Sequence, residues 1–126
     1  MIGDLSLIEL TVRDWPASVD WYRDVLGLKL LVRDESNRFA LFDTGTVRLA
    51  LKAGEAVSGG VLIALEVQNL PAALEGLAAK GVFPAEAVKI SEEGYRRVIL
   101  NDPEGYRVSL FDWHRESTSK AGTQEV

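Results

Sequence analysis

The sequence predicts an α+β fold built from two βαβββ repeats, and three observations predict it. Val12-Arg13-Asp14-Trp15-Pro16-Ala17-Ser18-Val19-Asp20 recurs as Val67-Gln68-Asn69-Leu70-Pro71-Ala72-Ala73-Leu74-Glu75. Each copy follows a segment of alternating polarity, and each precedes a glycine, Gly27 or Gly81. Further extended segments come after each glycine. A repeat that cannot close its own core alone packs against its twin, and the space between two such units is a natural place for a ligand.

The elements follow in order. Ile8, Leu10 and Val12 make one uniformly apolar strand face, while Leu7, Glu9 and Thr11 make a mixed one. The second half repeats this with Ile63, Leu65 and Val67 against Leu62, Ala64 and Glu66. Asp14 and Asn69 stand where helix N-caps belong, their side-chain oxygens able to accept the free N–H groups of the first turn. Pro16 and Pro71 occupy that turn, where no N–H is required. Val19, Tyr22 and Leu26 in one helix, and Leu70, Leu74 and Leu77 in the other, recur at helical spacing and cover one sheet face each. Gly27 and Gly81 supply the left-handed stop. Extended segments are expected at Lys29 to Arg33, Phe39 to Phe42 and Val47 to Leu51, and then near Ala87 to Ile90, at Arg96 to Leu100 and at Arg107 to Phe111. Asp43-Thr44-Gly45 and Asp102-Pro103-Glu104-Gly105 are the turns before the last strand of each half. One domain is expected over 1–114, its two modules at about 1–55 and 56–114, with 115–126 a polar flexible C-terminal tail.

Composition narrows the function classes. A 47% hydrophobic and 26% charged chain of 126 residues is that of an ordinary globular domain. There is no cysteine, which removes disulfide and thiolate chemistry. Lys and Arg total 14 against 19 Asp and Glu, for a net charge of -5, which argues against a nucleic-acid partner and mildly favours cationic ligands. No apolar run reaches membrane-spanning length and the first residues lack a basic signal-peptide start, so no membrane is expected and a cytoplasmic location is the default.

Val12-x-Asp14 with Ser18-x-x-Trp21-Tyr22-x-x-x-Leu26-Gly27-Leu28, and Asp102-Pro103-x-Gly105 before the last strand, resembles the vicinal oxygen chelate superfamily. That superfamily includes glyoxalase I, extradiol dioxygenases, fosfomycin-resistance transferases and bleomycin-resistance proteins. The resemblance covers the chain to about Trp113. It implies the glyoxalase-like fold, in which the two modules curl into a half-barrel sheet around a cleft, and it implies a homodimer. It also implies a metal site fed by His, Glu or Gln from matching strand positions, which here are Leu7, Ala50, Leu62 and Ser109, or Leu49 in place of Ala50 if the count starts from Gly45. Neither set can hold a divalent ion, because Leu and Ala have no donor and one neutral hydroxyl is a poor ligand. No metal and no other cofactor is therefore expected.

What remains is the mixed strand face. With the uniformly apolar faces against the helices, the cleft is lined by Leu7, Glu9, Thr11, Arg48 and Ala50 from one module. From the other it is lined by Leu62, Ala64, Glu66, Arg107, Ser109 and Phe111, with Trp113 at the rim. Phe111 and Trp113 are the candidates for stacking against a planar ligand. Glu9 and Glu66 are either anchors for a ligand cation or partners of Arg48 and Arg107. Trp15, Trp21 and Tyr22 read as packing residues; of Phe39 and Phe42, at most one reaches the cleft. His114, alone and without a visible partner, is a weak acid–base candidate. The leading expectation is a metal-free small-molecule-binding protein of the bleomycin-resistance type, holding a cationic or aromatic antibiotic or metabolite between its modules. The alternatives are a metal-independent enzyme with Glu9 or Glu66 as general base, and an accessory domain whose cleft is vestigial. The absent metal ligands weigh against an enzyme.

Overall fold

A computed structural model describes residues 3–59 and 61–113, and these divide into two compact units. The first unit holds the first repeat and, in addition, residues 101–106; the second holds residues 62–100 and 107–113.

In the first unit, β1 (Leu7–Val12), β2 (Lys29–Asp34), β3 (Phe39–Asp43) and β4 (Arg48–Ala53) form a mixed sheet in the order β1-β4-β3-β2, with β1 parallel to β4. The helix α1 (Trp15–Asp20) starts where the capping residue predicts: Asp14 Oδ1 accepts the Ala17 N–H at 3.2 Å. It then widens into one π-helical turn, Trp21–Val25, and stops at Gly27, whose φ of 72° is the left-handed conformation that glycine adopts without a Cβ clash. Helix and sheet meet along an apolar layer in which Leu10, Val12, Ala40, Phe42, Leu49 and Leu51 bury against Trp15, Val19 and Tyr22. Burial of each larger side chain stabilises the unit by roughly 1.5–3 kcal/mol. The Trp15 indole N–H donates to the Leu51 carbonyl at 3.1 Å, so the polar end of this buried ring is satisfied. A register shift between Leu30 and Val32 leaves Leu31 as the extra residue of a bulge.

The Asp-Pro-Glu-Gly turn at 102–105 belongs to this first unit. Asp102 Oδ1 accepts the N–H groups of Glu104 and Tyr106, both at 2.8 Å, which shapes the turn. Its Oδ2 accepts the buried Tyr22 hydroxyl at 2.7 Å. The Glu104 carboxylate accepts the N–H groups of Arg13 and Asp14 at 2.9 and 2.7 Å, immediately before α1. The Tyr106 hydroxyl donates to the Thr11 carbonyl at 2.8 Å and accepts the Val57 N–H at 3.2 Å. A motif read from sequence as a turn is thus also the clamp that holds β1 and the start of α1.

The second unit repeats the plan with β5 (Leu62–Glu66), α2 (Leu70–Ala79), β6 (Lys89–Ile90), β7 (Tyr95–Asn101) and β8 (Arg107–Trp113), in the sheet order β5-β8-β7-β6. Asn69 Oδ1 accepts the Ala72 N–H at 2.9 Å, and Gly81 has φ of 78°. Leu70 and Leu77 of α2 are buried, as are Val98, Leu100, Val108 and Leu110 of the sheet. The extended segments expected from sequence all form; β7 is longer than expected by one residue at each end, and β6 is only two residues long. Asp112, buried near the end of β8, accepts the Leu70 N–H at 2.7 Å and binds Arg96 through two hydrogen bonds of 2.8 and 2.6 Å. Among the described residues, no helix is long and apolar enough to cross a membrane.

Candidate functional site

Strand register decides which side chains share the sheet face turned away from each helix. In the first unit, Leu7 lies directly opposite Arg48 and Glu9 opposite Ala50. Across the next pair, Arg48 faces Asp43 and Ala50 faces Leu41. Leu7, Glu9, Thr11, Arg48 and Ala50 therefore share one sheet face, on which Ala50 is fully buried. Phe39 joins it opposite Lys52, while Phe42 lies in the helix layer against Tyr22, with ring centroids 6.1 Å apart. Lys29, Asp43 and Arg48 stand in one cross-strand row, so charges of alternating sign sit directly opposite each other.

In the second unit the matching face carries Leu62 opposite Arg107, Ala64 opposite Ser109 and Glu66 opposite Phe111. The central Ala64–Ser109 pair is small and Ser109 is buried, and the pair lies between a charged end and an aromatic end. That aromatic end is larger than sequence reasoning showed. Tyr95 meets Trp113 at 5.6 Å and Phe111 at 6.0 Å between ring centroids, and Phe111 meets Trp113 at 6.4 Å, each pair edge-on. These are the separations and angles at which aromatic quadrupoles attract. Trp113 remains 44% exposed, leaving part of its indole open to a further ring. Tyr95 was missed because the alternation was taken to begin at Arg96; the signal that finds it is the Gly94 turn just before, with φ of 98°.

None of Glu9, Arg48, Glu66 and Arg107 makes an ion pair or side-chain hydrogen bond among the described residues. Register separates Glu66 from Arg107, which lie at opposite ends of the β5·β8 pair, whereas Glu9 and Arg48 stand diagonally on adjacent strands. His114 lies outside the described residues, as does the 115–126 tail.

The positions that the family uses for a metal can now be tested by their chemistry. Ala50 shares the sheet face of Leu7, whereas Leu49, one residue before it, lies on the helix side. Leu62 and Ser109 occupy the matching places in the second sheet. Two leucines, an alanine and one buried hydroxyl do not fit a divalent cation. Among the described residues, no group of three or more His, Cys, Asp or Glu side chains is placed to hold one elsewhere.

Two βαβββ units, each with a helix on one sheet face and a charged face opposite, define the glyoxalase-like class of α+β folds. The family model for the Glyoxalase/Bleomycin resistance protein/Dioxygenase superfamily matches residues 5–110, and the chain belongs to that superfamily. Among solved structures it is similar to a glyoxalase/bleomycin resistance protein/dioxygenase from Nocardioides, with 24% identity, TM-score 0.73, and coverage of 98% of this chain and 91% of that one. It is also similar to TioX from Micromonospora sp. ML1, with 22% identity, TM-score 0.71, and coverage of 88% and 99%. Lactoylglutathione lyase from Agrobacterium tumefaciens aligns with 18% identity, TM-score 0.72, and coverage of 89% and 95%. At these identities the likeness is one of fold. No curated protein sequence matches the chain.

Proposed function

We propose that this protein binds a planar small molecule without a metal, sequestering an antibiotic or metabolite against the open face of its second sheet. The observation that carries the reading is the aromatic cluster of Tyr95, Phe111 and Trp113 with Glu66 directly opposite Phe111. A flat cation laid on the exposed part of Trp113 gains stacking and cation–π attraction, and Glu66 supplies the counter-charge. The Leu7, Ala50, Leu62 and Ser109 positions, with a single neutral hydroxyl among them, support binding over metal-assisted turnover.

Proflavine, a planar cation, tests this by quenching of tryptophan emission. Saturable quenching is expected, weaker in high salt because part of the attraction is Coulombic in an open site. Trp113→Ala should weaken it about tenfold, equivalent to about 1.4 kcal/mol, and Glu66→Gln should weaken it by a smaller factor. Saturable binding that both variants leave unchanged would place the ligand elsewhere, and no saturable binding of any planar probe would end the proposal.

A further inference from the structure

Adjacent arginines on β7 have opposite fates. Arg96 turns to the helix side, where Asp112 holds it with hydrogen bonds of 2.8 and 2.6 Å. Arg97, one residue on, points to the other face by the period-2 alternation of a strand. Tyr95 confirms which face that is, since its ring packs on Phe111 and Trp113. Arg97 therefore stands on the aromatic face, and its Cα partner across β6 is Lys89. Two like charges directly opposite each other in a sheet destabilise it. Lys89 has only a loose contact, 3.5 Å from Glu86, with both side chains 67% exposed. Arg97 is half-buried and makes no ion pair or side-chain hydrogen bond among the described residues.

The first sheet solves the equivalent problem internally, since Asp43 separates Lys29 from Arg48 in a single row. The second sheet has no acid between Arg97 and Lys89. Its acid, Glu66, sits on the far side of β8, opposite Phe111. The face thus carries a negative edge, an aromatic middle and a positive edge. Glu66 and Arg97 stand two strand spacings apart, on the order of 10 Å between backbones. Arg107 is too distant to serve the same ring cluster, because it is four residues from Phe111 along β8, about 13 Å.

We infer that the ligand of this face is a small aromatic zwitterion, its ammonium group at Glu66 and its carboxylate at Arg97 and Lys89. This rests on the proposed binding function and deepens it by adding an anionic subsite. A guanidinium presents a planar fork of donors that matches a carboxylate bidentately, and a bound carboxylate removes the Arg97–Lys89 repulsion.

The test compares 4-(aminomethyl)benzoate with benzylamine and benzoate by ligand-observed NMR titration of the whole protein. The zwitterion is expected to bind about fivefold to tenfold more tightly than either single-charge analogue, the increment of one charge-assisted contact in a partly open site. Arg97→Gln should bring the zwitterion down to the affinity of benzylamine without weakening benzylamine itself. Arg97→Lys, which keeps the charge and loses the fork, should fall between, and a cooperative melt at or above the parent's temperature shows that both variants fold. If the zwitterion binds no better than benzylamine, or Arg97→Gln leaves its affinity unchanged, the anionic subsite is overturned while proflavine binding still supports the aromatic site. If benzoate matches the zwitterion, Glu66 is not an anchor and the zwitterion assignment fails. If neither these probes nor proflavine binds, both readings fail.

Discussion

Tyr22→Phe removes one oxygen atom from the first unit and leaves the ring in place, so its effect isolates a single hydrogen bond. The Tyr22 side chain is fully buried, and its hydroxyl donates to Asp102 Oδ2 at 2.7 Å. Burial pushes the phenol's pKa far above its ordinary range, and the neighbouring Asp102 charge and hydrogen bond push it the same way, so Tyr22 is a donor at any working pH. Asp102 is itself buried, and its other oxygen already holds the Glu104 and Tyr106 N–H groups. A hydrogen bond to a charged group contributes about 1.5–3 kcal/mol net, and the retained ring leaves almost no cavity to add to that. The expected loss is therefore about 2 kcal/mol, towards the lower end of that range because the second carboxylate oxygen stays satisfied. For a chain of this length such a loss lowers the melting temperature by about 6–8 °C. Urea unfolding followed by tryptophan emission measures it, and the midpoint should fall at constant slope. A loss under about 0.5 kcal/mol would show that the 101–106 turn does not hold the helix in solution through this pair, and would refute the clamp.

The same clamp predicts a pH dependence. Burial alone would raise the Glu104 carboxyl, but the Asp14 and Arg13 N–H groups and the Arg13 charge outweigh it and hold the pKa below the ordinary value of 4.5. A depressed folded pKa means that Glu104 stabilises the fold above about pH 4.5, and that this contribution disappears as pH falls through the folded value. Glu104→Gln should accordingly be less stable than the parent at pH 7, and the gap should narrow as pH falls below about 4.5 in denaturant titrations; a gap that stays constant on acidification would contradict the assignment. Elemental analysis after dialysis should find no stoichiometric Zn, Fe, Mn or Ni, and chelators should leave the melting temperature unchanged, given Leu7, Ala50, Leu62 and Ser109 at the family's ligand positions; about one tightly bound ion per chain would overturn this. We also expect a homodimer, because Phe83 and Ile90 are 70% and 68% exposed; light scattering at micromolar concentration should give twice the chain mass, and a monomer there would refute it.

The repeat plan was legible in the sequence because its signals are local. Asp14 and Asn69 cap helices through their own side chains, Gly27 and Gly81 stop them by accepting a positive φ, and period-2 alternation marks strands whatever they pair with. The absence of metal ligands at Leu7, Ala50, Leu62 and Ser109 is likewise a matter of residue identity. What needed the tertiary structure was the assignment of neighbours, since strand pairing and long-range contacts are not written in local spacing. Register alone separated Ala50 from Leu49 and Phe39 from Phe42, because a one-residue step reverses the face. The two ends of the Glu104–Arg13 hydrogen bond lie about ninety positions apart in the chain, so nothing in the turn sequence reveals that it holds α1. Tyr95 joined the aromatic face, and Arg96 found Asp112, only once β7 was paired and packed. Sequence determined the elements and what the family's metal positions lack; packing decided which side chains stand together, because proximity across a sheet depends on register and not on distance along the chain.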